Sequence, residues 1–287
     1  MIKSLGLVVN PTKERALPLA HRLCQYALSR GVRVGVEGPE EPIEGALSLP
    51  LPALVEQSDV LLVLGGDGSL LRVARHAAPF GKPIMGIQFG RYGFIMETEP
   101  DVALHELESL LSSDYTLSKR LMLHMELIRD GRCIGNHLAL NDVVVAGGPL
   151  SRLLHLRVSV GDREVVRYAA DGIIIATPTG STAYSLSAGG PVVHPDVDVI
   201  ILTPIAPHTL NSRTLVIPAS ERIEIHAHDE PMESMLTVDG QHLERFSEGD
   251  TVSIERAPFI AALVQTRGSQ FYKQLESRLG FGERFEP

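Results

Sequence analysis

The sequence is poor in cysteine: Cys24 and Cys133 are the only two in 287 residues. Cys24 lies in a helical pattern and Cys133 in a strand pattern, and their flanks show no metal-binding or redox spacing. A chain that uses so little cysteine is typical of a reducing compartment. We therefore expect two inert thiols and a cytoplasmic protein.

A long apolar run and a basic run are missing as well. No stretch approaches the roughly 20 apolar residues that cross a membrane. The apolar N-terminal run that ends at Asn10 is too short for a signal peptide and is typical of a first strand. The 26 Lys and Arg residues stand against 35 Asp and Glu, a formal net charge of -9. This charge argues against nucleic acid or an anionic membrane as the main partner and favours a small molecule.

Hydrophobic residues make up 44% of the chain, which is enough for a full core in one large or two ordinary domains. In the first part of the chain, strand patterns alternate with helical ones, which predicts a parallel sheet covered on both faces. Its ligands are expected at the carboxyl ends of the strands. The predicted strands are 5–9, 32–36, 60–64 and 84–87; residues 39–52 are predicted as a loop, and Asp101 as the N-cap of a helix over 102–111.

From Tyr115 the apolar residues recur with period two, which predicts strands. Asp130-Gly131 and Gly161-Asp162 are hairpin signals, and further short strands follow as far as residue 254. The stretch 269–279 returns to helical spacing and is expected to pack on the first domain. The predicted domains are 1–117 (α/β), 118–265 (mainly β) and 266–287 (the returning helix).

The most informative stretch is Leu61–Arg72, LLVLGGDGSLLR. A buried strand breaks into three glycines around Asp67, and a helical pattern follows at once. Glycines let the backbone approach a ligand, and the N–H groups of such a turn can bind phosphate. A carboxylate there repels phosphate unless it takes a proton or works with a metal ion, which indicates phosphoryl transfer. The alternative is that Asp67 only caps the helix.

A second glycine loop, residues 86–94, follows the next strand. It extends the phosphate site if the two strands are neighbours, or it is a plain connection. The sequence has no Gly-x-x-x-x-Gly-Lys-Ser/Thr pattern, so a P-loop site is excluded.

In the β-rich half, the stretch 170–191 is dense in small and hydroxyl side chains. Such a surface lets a flat ring approach, offers donors and acceptors to its edges, and leaves Tyr184 as a stacking face. This composition suits an adenine. The alternative is that Ser and Thr only cap short helices.

Asn141-Asp142 precedes the apolar run Val143–Val145 and offers an amide beside a carboxylate. That pair can bind the vicinal hydroxyls of a ribose. A solvated turn is the alternative interpretation.

Together these stretches resemble the motifs of the NAD kinase family, in the same order and at compatible spacing. The glycine turn alone is shared with diacylglycerol-type lipid kinases and, more remotely, with 6-phosphofructokinases, whereas the hydroxyl-rich stretch is far more specific. Similarity spans almost the whole chain and is weakest before residue 55 and after residue 245. The matching segments are Gly65–Ser69, Asn141-Asp142, Asp171–Pro195 and Thr203–Leu210.

The resemblance implies a Rossmann-like α/β domain, a β-rich domain, and a site in the cleft between them. It implies transfer of the γ-phosphate of ATP to the 2'-hydroxyl of the adenosine ribose of NAD, with Asp67 as proton acceptor and a divalent ion, usually magnesium, on the phosphates. The implied phosphate-binding residues are Gly65, Gly66, Gly68, Ser69 and Arg72. The implied NAD-binding residues are Asp67, Gly68, Asn141, Asp142, Arg152, Ala169, Asp171, Thr182, Ala183, Tyr184, Ser185, Leu186, Ser187, Ala206 and Gln241.

The sequence departs from the family pattern at several positions. Ser69 replaces the usual Thr and keeps the hydroxyl, Gln88, Tyr92 and Met96 depart in the second glycine loop, and Ala169 stands where several relatives carry a basic residue. The alternatives to an NAD kinase are a lipid kinase and a non-catalytic nucleotide-sensing module. By analogy with relatives, a homodimer or homotetramer built through the β-rich domain is expected.

Overall fold

The computed structural model describes residues 2–90, 93–96, 98–148, 153–208, 212–227, 234–266 and 271–280. The chain divides into two compact units, Met1–Lys119 with Ala261–Pro287, and Arg120–Ile260. The domain boundaries predicted from the sequence are 117/118 and 265/266. No helix among the described residues is long and apolar enough to cross a membrane.

The first unit is built on a parallel sheet in the order β5-β4-β1-β2-β3. Strands β1 and β4 are buried along their whole length because helices cover both faces. Helices α2 and α3 pack on the sheet, and α1 and α4 contribute to an apolar cluster with it. The elements are β1 (Ser4–Val9), α1 (Ala16–Ser29), β2 (Arg33–Glu37), β3 (Leu47–Ser48), α2 (Leu51–Gln57), β4 (Val60–Gly65), α3 (Asp67–Ala77), β5 (Ile84–Gln88) and α4 (Ala103–Leu111).

The second unit is mainly antiparallel β-structure. One sheet has the order β13-β12-β11-β8-β15-β16, and a second set of strands pairs as β10-β9-β14-β17. A single apolar core draws on both sets, including Val145, Ile173, Val158 and Ile225. The elements are β6 (Thr116–Arg129), β7 (Arg132–Ala139), β8 (Asp142–Gly147), β9 (Leu154–Val160), β10 (Arg163–Ala170), β11 (Gly172–Ala176), α5 (Tyr184–Ser187), β12 (Val199–Ile205), β13 (Leu215–Pro218), β14 (Ile223–Ala227), β15 (Ser234–Val238), β16 (His242–Phe246) and β17 (Thr251–Gln265).

The predicted α/β and β-rich halves are confirmed, as are both hairpins. Asp130 and Gly131 have φ of 50° and 72°, and Gly161 has φ of 56°, which are the left-handed conformations that tight hairpin turns need. The last helix, α6 (Phe271–Leu279), belongs to the first unit, as expected. Both cysteines are free, and burial raises the pKa of the Cys24 thiol, which makes it less reactive.

Two local predictions are wrong. The expected loop over 39–52 contains β3, and α2 begins at Leu51, because a proline in the first turn of a helix has no N–H to leave unpaired and Pro52 occupies that turn. Asp101 is not a helix N-cap: it lies inside a 3-10 turn, Pro100–Val102, and α4 begins after Val102 without a side-chain capping bond.

Candidate active site

The glycine turn sits at the carboxyl end of β4, next to the end of β5, because Gly65 pairs with Gln88 across the parallel sheet. A Cβ on Gly65 would lie 2.7 Å from Ser69 Oγ, so any side chain there would displace Ser69. The Asn10 amide donates to the same Oγ at 3.2 Å. The carboxyl ends of β1, β4 and β5 thus meet at one edge, where ligands bind in such sheets.

Asp67 is the first residue of α3, and its carboxylate faces the second glycine loop. Its Oδ2 accepts bonds from the backbone N–H groups of Phe94, at 2.8 Å, and Ile95, at 3.4 Å. The residue in the N-cap position is Gly66, and no side chain caps the helix. The interpretation of Asp67 as a mere helix cap is therefore wrong.

The other oxygen of this carboxylate, Oδ1, is buried and has no hydrogen-bond partner in the described part of the chain. A Cβ added to Gly93 would lie 2.7 Å from Asp67 Oδ1 and 2.6 Å from Gln88 Nε2, so both side chains approach Gly93. Burial raises the pKa of Asp67, although the backbone N–H groups of 94–96 and the charge of Arg278 act in the opposite direction. A carboxylate with a raised pKa and one free oxygen is suited to accept a proton.

Arg72 was predicted to bind phosphate. In this structure its guanidinium forms a bidentate ion pair with the Glu37 carboxylate, with both N–O distances at 2.9 Å. Its contact with phosphate stays a prediction. Gly68 is exposed and Ser69 half-buried in the first turn of α3.

In the second unit, the Asn141-Asp142 pair forms the turn that enters β8. Asp239, which comes 97 residues after Asp142, holds this turn: its carboxylate accepts bonds from the backbone N–H groups of Leu140, Asn141 and Asp142, at 3.1, 2.8 and 3.2 Å. Asp142 is buried, and desolvation together with the charge of Asp239 raises its pKa to about 7. The solvated-turn interpretation is wrong for Asp142, which is only 5% exposed.

The hydroxyl-rich stretch lies directly against that turn. A Cβ on Gly180 would sit 2.1 Å from the carbonyl oxygen of Asn141, so only glycine fits there. Thr177 joins the two segments as well, since its hydroxyl donates to Leu140 O at 2.6 Å and accepts from the Gly180 N–H at 3.0 Å. The structure therefore brings the two predicted nucleotide-binding motifs together.

The hydroxyls of this stretch are divided between internal bonds and free groups. Ser185 bonds to Thr203 at 2.9 Å, and Ser181 bonds to the backbone of Val193. Neither the 3-10 helix Thr179–Thr182 nor α5 has a bond from the side chain of its N-cap residue. Thr179 Oγ1 is buried without a partner in the described residues. The ring of Tyr184 is 46% exposed and offers a face for stacking. Thr182, Ala183 and Leu186 are half-buried, and Ser187 is exposed.

The remaining predicted positions lie at strand ends of the second unit. His208 N–H donates to Ala169 O at 2.8 Å, and Asp171 N–H donates to Ile205 O at 3.0 Å, which brings Ala169, Asp171 and Ala206 to one end of β10, β11 and β12. Gln241 is exposed in the turn that follows Asp239. Arg152 lies outside the described residues.

Three polar residues with a clear structural part were not predicted as site residues: Thr177, Asp239 and Gln88. Asp239-Gly240 is an Asp-Gly turn signal after a predicted strand, so its turn was detectable, and φ of 50° at Asp239 bears this out. The hydrogen bonds between the Asp239 carboxylate and a turn so distant in the sequence could not be predicted. Gln88 stood out only as a departure from the family pattern.

Two family models match this chain: the ATP-NAD kinase N-terminal domain over residues 51–115 and the ATP-NAD kinase C-terminal domain over residues 140–266. The chain belongs to the NAD kinase family. A relative named NAD kinase from Symbiobacterium thermophilum is 42% identical over 96% of this chain and 98% of its own length. The NAD kinase of Heliobacterium modesticaldum is 39% identical over 97% of this chain and 99% of its own length.

Solved structures of NAD kinases have the same fold. Yeast NADH kinase complexed with NADH superposes with a TM-score of 0.89 at 25% identity and covers 99% of this chain and 89% of its own. An NAD kinase from Archaeoglobus fulgidus in complex with ATP has a TM-score of 0.75 at 26% identity and covers 96% and 97%. This member of the family is an ATP-NAD kinase, and neither the lipid-kinase nor the sensing-module alternative is favoured.

Proposed function

We propose that this NAD kinase transfers the γ-phosphate of ATP to the 2'-hydroxyl of the adenosine ribose of NAD, with Asp67 as the proton acceptor. The 2'-oxygen forms a bond to the γ-phosphorus while the bond from that phosphorus to the bridging oxygen of ADP breaks. The hydroxyl proton passes to the Asp67 carboxylate. The products are NADP and ADP.

The main support for this proposal is the environment of the two oxygens of the Asp67 carboxylate. One oxygen is fixed by backbone N–H groups at 2.8 and 3.4 Å, so the side chain is oriented before substrate arrives. The other oxygen is buried and unpartnered in the described part of the chain. A buried polar atom without a partner costs free energy, which a substrate hydroxyl would recover by donating to it. Because Oδ1 is covered in this conformation, the hydroxyl reaches it when Gln88 or Gly93 shifts.

The second unit supplies groups suited to the adenosine of NAD. The amide oxygen of Asn141 and the hydroxyl of Thr179 are buried and unpartnered among the described residues, and both lie in the segments that meet at Gly180. We assign the ribose to Asn141 and Asp142 and the adenine to residues 182–187, with Tyr184 against the base. Asp171, Ala206 and Gln241 are assigned to the rest of the dinucleotide, together with Arg152 and Ala169.

A divalent ion, Mg²⁺, is part of the proposal. No group of three or more His, Cys, Asp or Glu side chains in the described ranges could hold a metal ion. Mg²⁺ in kinases is held largely by the substrate phosphates, so this chain fits it with ATP as the main source of ligands. When bound, the ion neutralises charge on the phosphates.

We also propose that the enzyme is cytoplasmic and assembles as a homodimer or homotetramer through its β-rich unit. The two free cysteines support a reducing compartment. β13 and β16 are the two edge strands of the six-stranded sheet, and each has an exposed apolar side chain, Val216 on β13 and Leu243 on β16. These side chains support association at a strand edge.

Turnover of Asp67→Asn tests the proposal. The protein is incubated with NAD, ATP and Mg²⁺, and NADP is followed with an NADP-specific dehydrogenase. A positioned base contributes about 10²- to 10⁴-fold, so the variant should lose turnover by about that factor. Folding and the KM for NAD should change little, because asparagine keeps the shape and an acceptor oxygen for the Phe94 N–H. Near-normal turnover with an unchanged melting temperature would refute Asp67 as the base.

A further inference from the structure

Three side chains of the first unit have buried polar atoms without a hydrogen-bond partner among the described residues. These atoms are Oδ1 of Asp67, Nε2 and Oε1 of Gln88, and Nη1 of Arg278. A buried polar atom without a partner costs free energy. Two of the four atoms are acceptors and two are donors, so the three side chains can satisfy one another.

The side chains of Gln88 and Asp67 approach each other at Gly93. A Cβ added to Gly93 would lie 2.7 Å from Asp67 Oδ1 and 2.6 Å from Gln88 Nε2, so the separation of Oδ1 and Nε2 cannot exceed the sum of these two distances. The backbone around Gln88 is fixed at the glycine turn, because Gln88 pairs with Gly65 and the Phe89 N–H donates to Gly65 O at 2.6 Å. The last torsion of a glutamine side chain is broad, so the amide can turn toward Oδ1 at low cost while the strand stays in place.

Arg278 approaches the same place from α6. Its positive charge acts on the Asp67 carboxylate and opposes burial, which raises the pKa of that carboxyl. Arg278 and Gln88 also line one cavity of about 760 Å³ in the first unit, so the guanidinium and the carboxamide border a common space. The other charged residues that line this cavity are Lys13, Glu14 and Arg15 after β1, Glu99 and Asp101 ahead of α4, and Lys273 on α6.

We propose that Gln88 and Arg278 are positioning residues for Asp67, and that the three side chains form one hydrogen-bonded chain when the acceptor ribose is bound. Arg278 Nη1 donates to Gln88 Oε1, and Gln88 Nε2 donates to Asp67 Oδ1. The shift of Gln88 that uncovers Oδ1 for the substrate hydroxyl also completes this chain, because a carboxylate oxygen can accept from two donors. The inference rests on the proposed function of Asp67 and deepens it, since donors to a carboxylate keep it ionised and oriented until it takes the proton.

The first test is the pH profile of kcat at saturating NAD and ATP, which reports the groups of the enzyme–substrate complex. Gln88→Met keeps the volume and removes the donor, so the midpoint of the fall in kcat at low pH should move up by about one to two pH units, as expected for one lost hydrogen bond to a charged group. Gln88→Glu puts a second negative charge there and should move the midpoint further.

Gln274→Met is the matched control for this test. Gln274 on α6 is 7% exposed, as Gln88 is, and it lines the same cavity but is outside the proposed chain. Its variant should leave the midpoint unchanged. If Gln88→Met instead lowered kcat equally at every pH, with the midpoint unmoved, Gln88 would have only a structural role and the proposal would be overturned.

The second test asks whether Arg278 acts through Gln88. Arg278→Met should also move the midpoint of the kcat profile to higher pH, whereas Arg22→Met, which replaces an exposed arginine on α1 outside the cavity lining, should not. Because the two residues belong to one chain, the shift in the double variant of Gln88 and Arg278 should be smaller than the sum of the two single shifts. Fully additive shifts would mean that the two residues act independently, which contradicts the chain.

A titration without turnover separates this inference from the proposed function. The carboxyl carbon of Asp67 is followed by NMR in protein with isotope-labelled aspartate, saturated with NAD in the absence of ATP, and its signal is assigned with Asp67→Asn. The titration midpoint should rise in Gln88→Met and in Arg278→Met and stay unchanged in Gln274→Met. An unchanged midpoint in Gln88→Met would overturn the positioning role, whatever Asp67 does in turnover. Near-normal turnover of Asp67→Asn together with a raised midpoint in Gln88→Met would instead refute Asp67 as the base and leave the chain of hydrogen bonds supported.

Discussion

At the scale of single residues, the candidate site depends on carboxylates whose surroundings differ sharply. Asp239 is buried but accepts three backbone N–H bonds, which stabilise its charge. Asp142 is buried near it, and no hydrogen bond to the Asp142 carboxyl is found in the described ranges. Desolvation and the charge of Asp239 therefore raise the pKa of Asp142 to about 7. Near neutral pH, the Asp142 carboxyl is therefore present in both its protonated and its ionised form.

The raised pKa of Asp142 predicts that the free energy of unfolding depends on pH. In the folded protein the Asp142 carboxyl has a pKa of about 7, whereas in the unfolded chain it has the ordinary pKa of 3.8. Between these values the folded state binds more protons, so stability falls as pH rises, by about 1.4 kcal/mol per pH unit at most. The Asp142→Asn variant lacks this titrating carboxyl. Its free energy of unfolding should therefore not show this part of the decrease with pH.

Urea unfolding of wild type and Asp142→Asn at pH 4.5, 6 and 8 measures the effect. The free energy of unfolding of wild type, relative to the variant, should decrease from pH 4.5 to about 7 and be constant above it. The comparison cancels the contributions of other groups whose pKa differs between the folded and the unfolded protein. A difference that is independent of pH would show that the Asp142 pKa is ordinary.

Sequence reasoning at this scale found the residue types but not their surroundings. The Asn141-Asp142 pair and the Gly-Gly-Asp-Gly turn are local patterns, so they were recognisable from neighbouring residues. The three backbone N–H bonds that Asp239 accepts and the burial of the Gln88 amide depend on contacts between segments that are distant in the chain. No local pattern carries that information.

At the scale of elements, periodicity predicted most strands and helices because one-sided burial imposes a period of 2 or 3.6. The hairpins at Asp130-Gly131 and Gly161-Asp162 followed from turn chemistry alone. The short α2 was missed, since Pro50 and Pro52 look like breakers when the first turn of a helix tolerates proline. The first four residues of β8 are all buried, so its sequence shows an apolar run and no alternation of polar and apolar residues.

The packing of the Gly180 segment on the Asn141 turn leads to a second prediction. Gly180→Ala places a Cβ 2.1 Å from Asn141 O, so the backbone of one segment has to move. We expect a loss of about 1–3 kcal/mol in the free energy of unfolding, typical of overpacking, and a raised KM for NAD. Gly135→Ala on β7 is the matched control, because its Cβ would meet no atom closer than 3.4 Å.

Chemical unfolding and the KM for NAD are measured for both glycine variants. The Gly135→Ala protein should resemble wild type within about 0.5 kcal/mol. If Gly180→Ala behaved like this control, the close approach of the two segments would not constrain the site. A stable Gly180→Ala protein with a raised KM would instead assign the constraint to binding alone.

At the scale of the whole molecule, the order of elements and the family motifs together predicted the architecture. Alternating strands and helices require a parallel sheet, and hairpin signals require an antiparallel one, so each half was predictable from its own connections. The resemblance to the NAD kinase family then supplied the reaction, which composition alone does not give. The association of chains stays a prediction by analogy with relatives, because edge strands can be recognised in a sequence only after the strand order is known.

The final prediction concerns that association. Leu243 on β16, at the edge of the six-stranded sheet, is 63% exposed, and an exposed apolar edge strand tends to pair with another chain. Light scattering at micromolar concentration should give a mass of two or four chains of 31.2 kDa. Leu243→Lys should reduce that mass, because a charge on an edge strand opposes pairing. Leu47→Lys is the control, since Leu47 is also 63% exposed but lies on β3 of the first unit, and it should leave the mass unchanged. A wild-type mass of one chain would rule out the oligomer, and an unchanged mass in Leu243→Lys would move the interface away from β16, to be tested next with Val216→Lys on β13.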